Sequence, residues 1–134
     1  MWAIVSDTAS FPSWNPFIRK LEGELRTGAK LSVTIQPPSR RSTNFRPTVL
    51  AAEPARELRW VGRVLIPGVF DGEHSLLMEP TANGGTRFTQ AERFSGILVR
   101  LFSGTLDSTQ LGFQQMNEAL KARAEAARLE IARG

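Results

Sequence analysis

The chain has 134 residues, 41% of them hydrophobic, with no cysteine and a single histidine. That length makes one domain with a real core, and the composition excludes disulfides, thiolate metal sites and histidine clusters for a metal. The net charge of +4 comes from scattered arginines with no basic stripe or interleaved aromatics, the densest pair being Arg40-Arg41, so no nucleic-acid partner is expected.

From the start, Trp2 to Ser6 is apolar and leads into Asp7. Pro12, two residues after Ser10, suits the first turn of a helix, and Pro16 stops it, so two short helices are predicted here. Asp7 and Arg19 are expected to tie these pieces to a sheet. Strands are predicted over Phe17 to Leu25, Leu31 to Gln36, Phe45 to Glu53, Leu58 to Val64, Phe70 to Glu79 and Thr86 to Phe94. Turn chemistry separates them at Thr27-Gly28, Pro37-Pro38-Ser39, Glu53-Pro54-Ala55-Arg56 and Pro67-Gly68. The even spacing predicts an antiparallel meander. Arg59 and Arg63 alternate away from Trp60 and are expected in solvent.

The last two strands carry the most information. Alternate residues share a face, so Phe70, Gly72, His74, Leu76 and Met78 line one side of the first arm. Phe88, Gln90, Glu92 and Phe94 do so on the second. Asn83-Gly84-Gly85 supplies the turn between them. Setting Met78 opposite Phe88 then puts Leu76 opposite Gln90 and His74 opposite Glu92. The one histidine faces a carboxylate from within an apolar surface.

After Thr105 the period changes. Phe113, Met116, Leu120, Ala124, Ala127 and Ile131 recur at three- and four-residue steps, predicting a helix to about Ala132 with one apolar face. It would span about 40 Å and has only the sheet to bury its stripe on. Phe102, Gly96 and Gly104 lie before it, where an entrance is expected. Nowhere does an apolar run approach the roughly 20 residues of a membrane span, and no secretory signal pattern is present, so a cytoplasmic protein is expected. Gly84-Gly85-Thr86 lacks the lysine and following helix of a phosphate loop, and no cofactor is expected.

These elements form an α+β, helix-grip arrangement: a curved antiparallel sheet around a long C-terminal helix, with two short helices near the start. The chain also resembles the START/birch-pollen-allergen-like (SRPBCC) superfamily, in its polyketide cyclase/dehydrase-like branch. The resemblance rests on Trp2 to Asp7 with Phe11 to Phe17, on Leu50 to Trp60, on Phe70 to His74, and on Gly85 to Glu92 leading to Phe94-Ser95-Gly96. It runs over nearly the whole chain and is specific for the fold more than for a substrate. It implies a cavity between sheet and helix for a small hydrophobic ligand such as a lipid or polyketide.

One departure matters. Members of that family open with a strand of about ten residues that pairs beside the last strand, and here that strand is missing, by loss or by a misassigned start. The edge from Thr86 to Phe94 would then be open, and a homo-oligomer through it is expected.

The residues expected to line the cavity are Leu58, Trp60, Phe70, His74, Leu76, Met78, Phe88, Gln90, Glu92, Phe94, Phe113 and Met116. The same residues would also serve a closed core, and the chain would then act as an interaction module. His74 and Glu92 have three readings: an acid/base pair for a cyclase- or dehydrase-like reaction, a polar pair that orients a ligand, or mutual satisfaction of two buried groups. No nucleophile accompanies them: there is no cysteine and no Gly-x-Ser-x-Gly elbow.

Overall fold

The computed structural model describes residues 1–64, 70–95 and 103–133. Helix α1 (Trp2–Ser6) is followed by a 3-10 turn (Thr8–Ser10) and α2 (Phe11–Trp14). Then come β1 (Ile18–Glu22), β2 (Ser32–Ile35), β3 (Thr43–Phe45), β4 (Thr48–Glu53), β5 (Glu57–Val64), β6 (Phe70–Pro80) and β7 (Thr86–Ser95). Helix α3 (Ser103–Arg133) closes the chain. This is the expected helix-grip α+β architecture. The predicted entrance residues Gly96 and Phe102 lie outside the described residues, as does the turn at Pro67-Gly68, and Gly104 falls in the first turn of α3.

The predicted meander is divided. One sheet has the order β1-β2-β3 and the other β4-β5-β6-β7, with neighbours antiparallel in both. The predicted strand from Phe45 to Glu53 breaks at Arg46-Pro47, because Pro47 has no N–H to donate to a ladder. Its carbonyl instead accepts the Leu31 N–H at 2.9 Å, while Val49 N–H donates to Ala29 at 2.9 Å. Those bonds and a bridge between Lys30 and Thr48 carry the chain from one sheet to the next. Among the described strands β7 pairs with β6 alone and is an edge.

The short N-terminal helices matter for where they leave the chain. Asn15 Oδ1 accepts the N–H groups of Phe17 (3.0 Å) and Ile18 (2.8 Å), which turns the backbone sharply into β1. Arg19 does tie this region together, but not through Asp7. Its guanidinium donates to the carbonyls of Asn15 (2.8 Å) and Pro12 (3.0 Å), which the short helix leaves without intrahelical partners. Arg59 lies on the face opposite Trp60, as expected, yet it is only about one-third exposed because Glu57 (2.7 Å) and Glu73 (2.8 Å) hold it. The hydrogen bond it donates to Glu73, then that to Glu57, raises its pKa above the ordinary guanidinium value.

The core forms where β1, β2, β5 and β6 meet α3: Phe17, Ile18, Val33, Leu58, Trp60 and Leu76 lie under Met116 and Leu120, all at 1% exposure or less. Phe17, just before β1, packs against α3. Its ring meets Phe113 edge-on at 5.4 Å. A Cβ at Gly112 would stand 2.7 Å from Cε2 of Phe17 and closer still to Cδ2, so only glycine lets the helix settle at this depth. Among the described residues no helix is long and apolar enough to cross a membrane.

Replacing Gly112 separates two opposed effects. Alanine is the better helix former by about 1 kcal/mol, yet its methyl group collides with a buried ring that has nowhere to go. Gly112→Ala is expected to lower stability by about 1–3 kcal/mol in urea unfolding. A raised midpoint would show that α3 does not bear on Phe17.

Candidate functional site

β6 and β7 pair without interruption from Asp71↔Ser95 to Pro80↔Thr86. Met78 faces Phe88, Leu76 faces Gln90 and His74 faces Glu92, the register that alternation about Asn83-Gly84-Gly85 implies. On the other side, His74 pairs with Trp60 of β5. Their rings stack 4.7 Å apart at 8°, and the Phe113 ring closes on His74 edge-first at 4.8 Å. His74 is 4% exposed. Its polar atoms therefore need partners inside the protein.

Those partners are set by one atom that can only accept. The Phe113 carbonyl lies 3.4 Å from Gln90 Nε2, so the Gln90 amide must turn its NH2 toward α3. The same nitrogen donates to Asn117 Oδ1 at 2.8 Å. Gln90 Oε1 is left facing His74 Nε2 at 2.9 Å, and Nε2 must carry the hydrogen in that bond. On the other side of the ring, Nδ1 lies 3.5 Å from Glu92 Oε2, the distance of an ion pair when the ring is protonated. Gly72 makes room for this carboxylate: a Cβ there would sit 2.8 Å from Glu92 Oε1 and 3.5 Å from the Phe94 ring. The result is a polar chain, Glu92–His74–Gln90–Asn117, through an apolar wall.

The chain ends at a cleft of about 600 Å³, open on one side. The hairpin tip forms one flank with Gly84, Gly85, Thr86 and Phe88. Asn117, Leu120 and Ala124 of α3 form the floor, and Met1 stands at the end. Lys121, Glu125 and Arg128 rise around the mouth, with Lys121 Nζ 4.0 Å from Glu125 Oε1. Since the Oδ1 of Asn117 is committed to Gln90, its Nδ2 carries the donors it has left to offer a ligand.

The expected cavity-lining residues divide by position. Leu58, Trp60, Leu76, Met78 and Met116 are packed in the core with His74. Gln90, Glu92, Phe94 and Phe113 are half-buried. Of the residues singled out, Phe88 alone lines the cleft. Phe70 opens β6, and its side chain lies outside the described part. The residues that sequence reasoning passed over are Asn117, Lys121, Glu125 and Arg128. A signal for the first was present, since Asn117 is a polar residue one position after Met116 on the sheet-facing side of an amphipathic helix. Among the described residues no group of three or more His, Asp or Glu side chains is placed to hold a metal ion.

Comparisons with known proteins agree with this fold. Over residues 1–125 the chain matches the family described as polyketide cyclase / dehydrase and lipid transport. A comparison with curated proteins returns no match. Among solved structures, a protein from Nitrosomonas europaea superposes with a TM-score of 0.60 at 19% identity, covering 92% of this chain and 86% of that one. The di-domain ARO/CYC StfQ from the steffimycin biosynthetic pathway gives 0.59 at 12% identity, over 92% of this chain and 46% of that one. A Rhodobacter sphaeroides protein gives 0.57 at 20%, over 90% and 82%. At such identities these likenesses establish the fold alone.

Removing Gln90 tests the polar chain. Gln90→Leu strands His74 Nε2–H and Asn117 Oδ1 and is expected to cost about 1–3 kcal/mol in denaturant unfolding. Adding His74→Leu should recover part of that loss, because both unmet groups at that bond are then gone. A double variant as unstable as the sum of the singles would show that the two side chains are not coupled.

Proposed function

Because this chain belongs to the polyketide cyclase/dehydrase and lipid transport family, we propose that it binds a small amphipathic molecule in the cleft between the hairpin tip and α3. The observation that supports this most is the composition of that cleft. Phe88, Leu120, Ala124 and Met1 offer an apolar bed, and its volume lies in the range that encloses a small-molecule ligand. Asn117 presents a polar group at the inner end, held in place by Gln90 and through it by His74. A ligand carbonyl would accept from Asn117 Nδ2. Arg128 and Lys121, two cations against the single carboxylate of Glu125, favour an acidic group at the outer end. The ligand class is thus a lipid- or polyketide-like acid.

A cyclase- or dehydrase-like reaction through His74 and Glu92 has less support. Acid/base catalysis requires the ring within hydrogen-bond reach of the substrate. His74 is enclosed by Trp60, Phe113, Gln90 and Glu92, and two other side chains stand between it and the cleft. In the proposed function His74 is a positioning residue.

Two probes of equal chain length, dodecanoate and dodecanol, separate the apolar and ionic parts of this reading. Ala124→Trp fills the bed and is expected to weaken both by about tenfold or more, a loss of about 1.4 kcal/mol. Arg128→Ala should reduce dodecanoate affinity by about two- to fivefold and leave dodecanol unchanged, as suits a solvent-exposed charge. Titration calorimetry reads both. Unaltered binding in Ala124→Trp would place the ligand elsewhere.

A further inference from the structure

Helix α3 gives the cleft Asn117, Leu120, Lys121, Ala124, Glu125 and Arg128, and their spacing of three and four places them on one face. Within that face they fall into lines. Asn117 and Arg128 are eleven positions apart, or about three turns at 3.6 residues each, so they stand almost in one line along the axis. Leu120 and Ala124 lie to one side of that line, Lys121 and Glu125 to the other. Across the cleft stands the hairpin tip, a turn closed by Gly84 N–H on the Thr81 carbonyl at 3.1 Å and Thr81 N–H on the Gly85 carbonyl at 3.0 Å. The cleft is therefore a slot that runs along α3, with an apolar flank between two polar ends.

Those ends differ in chemistry and stand a set distance apart. Asn117 Oδ1 accepts from Gln90 Nε2 at 2.8 Å, so the side chain turns Nδ2, a donor only, to a ligand. Lys121 faces Glu125 at 4.0 Å, whereas Arg128 is exposed and has no ion pair among the described residues. The rise of 1.5 Å per residue separates the backbones of Asn117 and Arg128 by about 16 Å. Helical side chains lean toward the N-terminus and the longer Arg128 leans further, so the two polar groups stand about 12–16 Å apart. An extended chain advances about 1.2 Å per bond, and that gap takes about 10–13 bonds. We infer, on the footing of the binding function proposed above, that the ligand is a long-chain keto acid whose carbonyl lies about 10–13 bonds from its carboxylate. The carboxylate pairs with Arg128, the carbonyl accepts from Asn117 Nδ2, and the methylene chain lies on Leu120 and Ala124 under Phe88. A short acid would instead reach from Asn117 to Lys121, four positions and about 6 Å along the helix.

Titration calorimetry compares octanoate, dodecanoate and hexadecanoate with the keto acids of the same length, 7-oxooctanoate, 11-oxododecanoate and 15-oxohexadecanoate. The carbonyl should strengthen binding about 2- to 10-fold at twelve carbons, the gain of one hydrogen bond. It should give no gain at eight or sixteen, where it meets apolar groups instead. In Asn117→Asp the bond from Gln90 keeps its acceptor while the donor to the ligand is gone, so the twelve-carbon gain should vanish. Circular dichroism checks the fold of that variant, and if it does not fold the wild-type series still decides. Straight-chain acids that bind with no carbonyl gain at twelve carbons overturn the keto-acid class and leave the binding function of the cleft standing. So does a gain largest at eight carbons, which would assign the carboxylate to Lys121, or one that persists in Asn117→Asp. If none of the six acids binds, the function proposed for the cleft falls, and the keto-acid class falls with it.

Discussion

A buried imidazole must have its polar atoms met, and in this protein a single main-chain carbonyl determines how. The Phe113 carbonyl accepts from Gln90, and that orients an amide whose two ends differ. Its oxygen then sets the hydrogen of His74 on Nε2, and its nitrogen sets Asn117 with Oδ1 inward. Glu92 lies at the far end, over the space that Gly72 leaves. The interior charge and the cleft floor thus share one chain of contacts, and the cleft presents a polar group of defined orientation.

That carbonyl is useful only if α3 lies at the right height over the sheet. The height depends on elements distant in sequence. Asn15 turns the chain so that Phe17 faces the helix, and Gly112 lets the helix come down onto that ring. Phe113, next in sequence, then touches both Phe17 and His74. The short N-terminal helices act on the site through this stack of rings. Close packing of this kind transmits small displacements, so the site is sensitive to substitutions well outside it.

Much of the architecture could be read from the residues because it follows from simple periods. Alternation across Asn83-Gly84-Gly85 yields the β6–β7 register down to His74 opposite Glu92. The three- and four-residue spacing yields α3. Other features depend on distance in space and left no such trace. Pro47 splits a strand, and its effect on the sheet appears only once the Leu31 bond is seen. Gln90 was visible as an inward residue of β7, but its link to Asn117 joins positions 27 apart on different elements. The cleft was the least legible part. Its floor uses the helix stripe beyond Met116, and its rim uses charged residues that in sequence look like an ordinary solvated face. The resemblance to the START-like superfamily pointed to a space between sheet and helix without saying which end of the helix bounds it.

The functional reading is that of a binding fold with a polar wall, in which His74 holds other groups in place and an amphipathic acid occupies the cleft. Its central claim is that Gln90 connects the ring of His74 to the ligand's polar contact at Asn117. The direct test is a nitrogen-15 correlation spectrum covering the His74 ring and the side-chain amides of Gln90 and Asn117, recorded with and without dodecanoate. The account predicts a hydrogen on His74 Nε2 in both states and amide signals of Asn117 and Gln90 that shift as the ligand binds. A ring carrying its hydrogen on Nδ1 alone, or a ligand that binds without moving the Asn117 amide, would contradict it.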